Sequence, residues 1–182
     1  MMSQKQAFAI SRNDDLGVRA IEMPYRGGRS STVVLLPYEI DGLSHLEHHL
    51  SHGKLSNILA DLKETPDVEV TMPKLLLQQC LYLKDTLKAM GVSDLFSAKC
   101  NLSGMFQSGS PVVSNMVHKV HLRVDEDGTD PAVSTPAMAM TSSPPTTTTT
   151  QKTDFVVDHP FMLLVLKSKS DVVIFVSSVC HP

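Results

Sequence analysis

A long stretch without a periodic hydrophobic pattern, from Val124 to Phe161, constrains the fold more than any other part of this sequence. It begins after an apolar, alternating segment at 117–124 and passes through an acidic hinge at 125–129 that contains one glycine. Small residues, threonines and prolines follow. A loop of this length in a compact domain is usually either a functional binding loop or disordered. We therefore predict two packed strands with a long exposed loop between them, which serves as bait or linker.

The rest of the chain predicts an α+β body made mainly of antiparallel sheets with a few short helices. Alternating and β-branched residues at 18–23 and 31–36 flank Gly27-Gly28, which predicts a hairpin. Residues 161–166 and 172–176 predict a second hairpin, which we expect to be buried. Other apolar patterns predict further elements: a short apolar piece at 8–10, strands at 68–72 and 75–77, and helices at 43–50, 55–62 and 83–90.

Composition limits the classes of partner. A chain of 182 residues with 42% hydrophobic content can bury one sizeable core, so we expect one domain. The net charge of −3 shows no basic excess, so we expect no nucleic-acid partner. Apolar runs such as 161–166 are too short to span a bilayer, so we expect no membrane partner. The first residues show no cationic region followed by an apolar one, so no signal peptide is recognised.

Three cysteines, Cys80, Cys100 and Cys180, lack the C-x-x-C spacing of many metal and redox sites. An odd number leaves at least one thiol unpaired in a monomer. Free cysteines are among the residues most often buried in folded proteins. We therefore expect buried, unreactive thiols.

A histidine-rich segment at 43–52 could place His45, His49 and His52 on one helix face, where imidazoles can bind Zn²⁺. The segment does not contain H-E-x-x-H and has no obvious carboxylate or cysteine partner. We therefore expect a solvated helix, with no metal and no cofactor. A zinc-dependent enzyme remains the alternative, and it would require stoichiometric metal and an activity that chelators abolish.

Motifs along nearly the whole chain occur in the order of one known family. The segments 117–120 and 124–130 precede the aperiodic stretch, and Phe155-Val156-Val157-Asp158-His159-Pro160-Phe161 follows it. They resemble the strand, the hinge and the signature around the reactive loop of serpins, the serine protease inhibitors. Further segments resemble other serpin landmarks: 22–27, 33–37, 72–74 and 101–104. The match covers only the C-terminal half of a serpin, which implies one partial domain, 1–182, with the N-terminal half of the fold absent.

The resemblance implies a mechanical function rather than an enzymatic one. A serine protease attacks the loop as a substrate, and the cleaved loop then inserts into a neighbouring sheet as a new strand, which distorts the acyl-enzyme before it is hydrolysed. Such an inhibitor needs no catalytic residues. The resemblance also implies an extracellular location and assigns the hinge and reactive-loop region to 125–157. Because half of the fold is absent, we expect inhibition by this chain to be impaired.

The resemblance assigns individual roles within this region. The hinge residues are Glu126, Gly128, Thr129, Asp130 and Pro131. Counting from Gly128 with the family's spacing places the scissile bond at Ser142-Ser143, with Met140-Thr141 as a shifted alternative. No lysine or arginine lies between Arg123 and Lys152, which argues against a trypsin-like protease. Met140 would suit a chymotrypsin-like or elastase-like pocket.

Two prolines, Pro131 and Pro136, lie in the segment that would have to become a strand. A proline has no N–H to donate to a β-ladder and is confined to strand edges or bulges. Slow insertion favours ordinary cleavage over trapping. The alternative function is therefore a non-inhibitory serpin relative that acts as a protease substrate or as a binding or carrier protein.

Two further residues, both outside the loop, are candidate functional residues. His118 matches a serpin position that controls opening of the sheet, although a histidine in an apolar strand is more typical of a satisfied core residue. Asn101-Leu102-Ser103 is an N-glycosylation sequon, which has meaning only if the chain is secreted.

Overall fold

The computed structural model describes residues 1–106, 111–125, 128–131, 153–167 and 172–182, with only the backbone at 128–131. The chain divides into two compact units, Met1–Leu75 with Arg123–Pro182 and Leu76–Leu122. Within the described residues the strands are β1 (Met2–Asn13), β2 (Val18–Pro24), β3 (Ser30–Pro37), β4 (Lys63–Met72), β5 (Leu75–Tyr82), β6 (Val117–Asp125), β7 (Gly128–Pro131), β8 (Thr153–Val156), β9 (Phe161–Lys167) and β10 (Val172–Val179). The α-helices are α1 (Leu43–His49), α2 (His52–Ala60) and α3 (Lys84–Ala89).

The strands form one large and one small sheet. Seven strands lie in the order β10-β9-β3-β2-β1-β4-β8, and three lie in the order β5-β6-β7. In the large sheet every neighbouring pair is antiparallel except β4 with β8, which run parallel. The predicted α+β class with mainly antiparallel sheets and short helices is confirmed.

Strand β3 lies inside the large sheet, between β9 and β2, and its residues 31–37 are all buried. A strand buried on both faces reads as a continuous apolar run rather than as an alternation, which explains Val33-Val34-Leu35-Leu36. Its partner β2 pairs Ile21 opposite Val34, and the connecting turn contains Gly27 and Gly28 at φ of 90° and 62°. These positive values suit glycine, which has no Cβ to clash. The hairpin predicted from sequence is confirmed.

Helices α1 and α2 cover one face of the large sheet. Leu46 of α1 and Ile58 of α2 are fully buried in the main hydrophobic cluster, and the Ser11 hydroxyl donates to the Ile58 carbonyl oxygen at 3.1 Å. Leucines and valines of three neighbouring strands complete this cluster: Val18, Val33, Leu35, Leu164 and Leu166. The stripe of leucines that predicted the helices is therefore the stripe that packs on the sheet.

Several elements are longer or shifted relative to the sequence prediction. Strand β1 has 12 residues instead of a short apolar piece at 8–10, because pairing with both β2 and β4 sustains it through polar positions. Helix α2 begins at His52 rather than at Leu55, since the Ser51 hydroxyl accepts a hydrogen bond from the Lys54 N–H at 3.3 Å and caps the helix. Strand β5 continues to Tyr82.

The C-terminal hairpin exists, but the expectation that both of its strands are buried was wrong. Strand β9 is largely buried between β3 and β10, whereas Val172, Ile174 and Val176 of β10 are 54%, 61% and 57% exposed. The reason is position, because β10 is the last strand of the sheet. An apolar run alone cannot distinguish a central strand from an edge strand.

The expectation of buried cysteines was also wrong. Cys80 and Cys180 are exposed and Cys100 is partly exposed, and all three are free thiols. Cys80 lies on β5, where six of eight residues are exposed, and Cys180 directly follows the edge strand β10. The exposure of these thiols follows from the positions of the strands that carry or precede them, rather than from the residue type.

The unit Leu76–Leu122 contains α3, which has no buried residue. The Leu83 N–H donates to the Met116 carbonyl oxygen and the Lys84 ammonium donates to the Ser114 carbonyl oxygen, both at 2.9 Å. Gly91 follows the helix at φ of 94°, as the glycine stop signal predicts. Among the helices of the described part of the chain, none has the length and apolar character required to cross a membrane.

Candidate functional site

The N-terminal flank of the predicted loop is a strand that leads into a second strand. Strand β6 ends at Asp125, whose carboxylate lies 2.8 Å from Nε of Arg123. The backbone of Gly128–Pro131 then forms β7, the neighbour of β6 in the small sheet. Four of the five residues that the resemblance assigns to the hinge are thus in strand conformation, while Glu126 lies outside the described residues.

The C-terminal flank is β8, a four-residue strand that forms one edge of the large sheet, opposite to the edge formed by β10. Its Phe155 lies opposite Val70 of β4 and is only 2% exposed. The chain continues through Val157, which is fully buried and whose N–H donates to the Thr71 carbonyl oxygen at 2.8 Å. Two buried side chains and the pairing with β4 therefore fix the C-terminal end of the predicted loop region, 125–157.

A cation packs against this flank. The guanidinium carbon of Arg19, on β2, lies 5.2 Å from the centroid of the Phe155 ring. A cation over an aromatic face within about 6 Å is attracted by the ring quadrupole, worth about 0.5–1 kcal/mol at exposed sites. This contact adds to the apolar burial of Phe155.

Two polar residues tie the same segment to the end of β3. The Nε2 atom of His159 lies 2.7 Å from the carbonyl oxygen of Pro37, and its Nδ1 atom lies 2.7 Å from a carboxylate oxygen of Asp158. The hydrogen bond from His159 lowers the pKa of Asp158, and burial opposes this effect only in part. The motif in the sequence assigns no role to Asp158 or His159, because the Pro37 carbonyl oxygen that His159 contacts is 122 positions away.

The remaining loop residues fall between these flanks. The scissile-bond candidates Met140, Thr141, Ser142 and Ser143 lie outside the described residues, in the interval 132–152. Strands β7 and β8, which bound this interval, belong to different sheets. The arrangement attaches the two ends of a long segment to two separate β-structures.

The two sites predicted outside the loop are both exposed. His118 lies on β6 with an exposed side chain, so its interpretation as a satisfied core histidine was wrong. Its face of β6 is not covered by the described residues. Asn101 is exposed, and its side-chain oxygen accepts a hydrogen bond from the Ser103 N–H at 3.1 Å, which forms a tight turn at the sequon.

The histidines of α1 do not form the zinc site that was the alternative interpretation. The Nδ1 atoms of His48 and His49 lie 2.7 Å and 2.9 Å from the carbonyl oxygens of Ser44 and His45. The rings of His45 and His49 stack at 4.1 Å between centroids. Throughout the described ranges, no three histidine, cysteine or acidic side chains come together in a way that could hold a metal ion. The zinc-enzyme hypothesis therefore has no structural support.

Comparison with known proteins identifies one family. The model of the family described as "Serpin (serine protease inhibitor)" matches residues 1–182. Iris from Ixodes ricinus is 42% identical over 181 residues, which are 98% of this chain and 47% of Iris. Leukocyte elastase inhibitor A from Mus musculus is 35% identical over 188 residues, covering 100% of this chain and 48% of that protein. The chain spans about half the length of the curated relatives it matches.

A solved structure agrees in fold. The structure of uncleaved ovalbumin matches with a TM-score of 0.82 and 26% identity, and the match covers 100% of this chain and 44% of ovalbumin. The two sheets and the short helices described above are thus an arrangement already seen in a solved protein.

Proposed function

The chain belongs to the serpin family, and we propose that its function is the inhibition of a serine protease through a cleavable bait loop. The family is one of protease inhibitors rather than enzymes. The observation that carries the proposal is the attachment of 132–152 between β7 and β8, which belong to different sheets. A segment held at both ends can be presented to a protease as a substrate.

We assign the chain to the C-terminal half of a serpin, in keeping with its coverage of about half of its relatives. The hinge, the loop and the signature at 155–161 support this assignment, because the resemblance places all three in that half. The hinge and loop region at 125–157 then belongs to one partial serpin domain. For these 182 residues we propose the part of that function which the loop region carries, namely presentation of the bait to the protease.

We place the scissile bond at Ser142-Ser143, with Met140-Thr141 as the alternative, and propose a chymotrypsin-like or elastase-like protease as the partner. The absence of lysine and arginine between Arg123 and Lys152 supports this class, because a trypsin-like pocket requires a basic residue. A relative named leukocyte elastase inhibitor A, at 35% identity, supports it independently.

The trapping step would extend β7 into a longer strand beside β6, and the hinge supplies its first residues. Each added residue needs an N–H for the ladder, which Pro131 and Pro136 lack. Pro131 is the last residue of β7. The second candidate function, a protease substrate without inhibition, follows from these prolines, because slow insertion lets water hydrolyse the acyl-enzyme first.

One experiment separates the two functions. The purified chain is incubated with an elastase-like protease, and a denaturing gel measures the fraction of chain in a covalent adduct of summed mass. If the prolines limit insertion, the Pro131→Ala/Pro136→Ala variant forms more adduct than the wild type, and the control Pro145→Ala, beyond the proposed scissile bond, does not. Equal fractions of adduct from the wild type, the double variant and Pro145→Ala would contradict the limiting role of the prolines.

We also propose that His118 takes part in the control of sheet opening. The supporting observation is its position on β6, the strand between β5 and β7 in the small sheet. An exposed imidazole on that strand is available to whichever segment enters beside it.

We propose an extracellular location with a glycan on Asn101. The exposure of Asn101 and the turn that its side chain makes with Ser103 support the proposal, since a glycosylated asparagine must reach solvent. Expression through a secretory pathway should yield a mass shift that an amidase for N-glycans removes. The variant Asn101→Gln should lack this shift.

A further inference from the structure

The two hydrogen bonds of His159 place a condition on its protonation. A backbone carbonyl oxygen can only accept, so the bond to Pro37 requires a proton on Nε2 of His159. An ionised carboxylate can also only accept, so the bond to Asp158 requires a proton on Nδ1. A neutral imidazole carries one proton and can satisfy one of these partners. Both bonds therefore exist together only when His159 is an imidazolium.

The charges around this pair favour an ionised Asp158. The His159 side chain is 13% exposed, whereas that of Asp158 is 64% exposed and open to water. Arg19 adds a smaller attraction to the Asp158 carboxylate. Tyr38, which directly follows β3, lies near Asp14, Arg12 and Arg19. Of these, Asp14 is already bound by the Tyr38 hydroxyl at 2.9 Å, so the carboxylate that faces His159 is that of Asp158.

We propose that His159 is a pH-sensitive positioning residue whose protonated ring clasps the C-terminal flank of the bait loop to the end of β3. This proposal depends on the proposed function only in calling the segment beside it a bait loop. Its two hydrogen-bond partners differ in kind, because Pro37 ends the buried strand β3 whereas the side chain of Asp158 is exposed. Protonated His159 thus connects the segment after β8 to the buried end of β3.

We expect the clasp to form only between a lower and an upper limit of pH. The pKa of Asp158 is lowered in the fold, so the contribution of its carboxylate is present above the unfolded value and is lost as pH falls through the folded one. The two bonds of His159 set the opposite limit, because a ring with a single proton can donate to only one of its two acceptors. The clasp therefore needs an ionised Asp158 and an imidazolium at the same time, so it is lost at both extremes of pH.

Three variants of the full chain test this directly. His159→Gln keeps a donor for Pro37 but carries no charge at any pH. His159→Arg keeps a charge and several donors at every pH. His181→Gln is the control, because His181 is exposed in the same unit and has no part in the clasp. Hydrogen exchange of amides in 153–161 at pH 5.5 and 8.0, corrected for intrinsic rates, reports opening of the flank.

The expected result is a flank that opens about tenfold more at pH 8.0 than at pH 5.5 in the wild type and in His181→Gln, as loss of one charge-assisted hydrogen bond implies. His159→Gln and His159→Arg should lose this dependence. Nitrogen NMR of the imidazole should show two N–H groups on His159 at pH 5.5. A neutral ring at pH 5.5, or an unchanged pH dependence in both variants at position 159, would overturn the proposal. No protease is used, so failure here is distinct from failure of the bait function.

Discussion

Replacement of Phe155 by alanine tests how the end of the loop is anchored. Phe155 supplies the large buried side chain of β8, packs against the Arg19 cation and lies opposite Val70. Strand β8 has four residues and pairs with β4 at one end of the sheet. A strand so short has few other interactions to hold it. We therefore expect Phe155→Ala to release β8 from the sheet while the core around β3 remains folded.

The magnitude follows from burial. Truncation of a buried phenylalanine to alanine costs about 3–5 kcal/mol, and the lost cation–π contact adds about 0.5–1 kcal/mol. Because part of this loss is recovered when the neighbours of Phe155 collapse, we take about 3 kcal/mol as the effect on local opening. At 1.4 kcal/mol for each factor of ten, the β8 amides should exchange about a hundredfold faster.

The matched control is Val156→Ala in the same strand. Val156 is 37% exposed and faces away from the buried side, so its truncation should change exchange about threefold or less. Hydrogen exchange with mass spectrometry on a peptide spanning β8 and one spanning β3 gives the comparison. Equal exchange of β8 in the two variants would refute the anchoring role of Phe155, and equal acceleration of β3 would refute local release.

Three further predictions concern other parts of the chain. Ser51→Ala should lower the free energy of unfolding by about 1 kcal/mol in urea titrations, because it removes the hydroxyl that caps α2. Ile174→Lys should reduce self-association in analytical ultracentrifugation, because it puts a charge on the exposed edge strand β10. Burial and the hydrogen bond to Asp14 raise the pKa of Tyr38, so its phenol should ionise at higher pH than free tyrosine, and Asp14→Asn should reduce this difference in an ultraviolet titration.

Local patterns in the sequence predicted the parts of the fold that local physics determines. The glycine pair at 27–28 produced the hairpin, and the spacing of Leu43, Leu46 and Leu50 produced α1. The apolar segment at 117–124 and the motif at 155–161 correctly marked strands on either side of the long loop. These features depend on residues close together in the chain.

Features that depend on distant residues could not be predicted. The exposure of β10 follows from its place at the end of a seven-stranded sheet, which no property of its own residues encodes. The contact of His159 with Pro37 joins positions far apart in sequence, and the exposure of Cys80 and His118 follows from faces that the described residues leave uncovered. The loop positions Met140 to Ser143 were assigned by resemblance and counting, and they remain predictions.

The most direct test of the bait loop is the position of the first cut made by an elastase-like or chymotrypsin-like protease. Mass spectrometry of the products after brief digestion identifies the bond. We predict a single early cut at Ser142-Ser143 or at Met140-Thr141, with β8 and β6 intact, and no early cut in the same segment by a trypsin-like protease. Early cuts within β3, β6 or β8, with 132–152 left whole, would contradict the assignment of this segment as the bait.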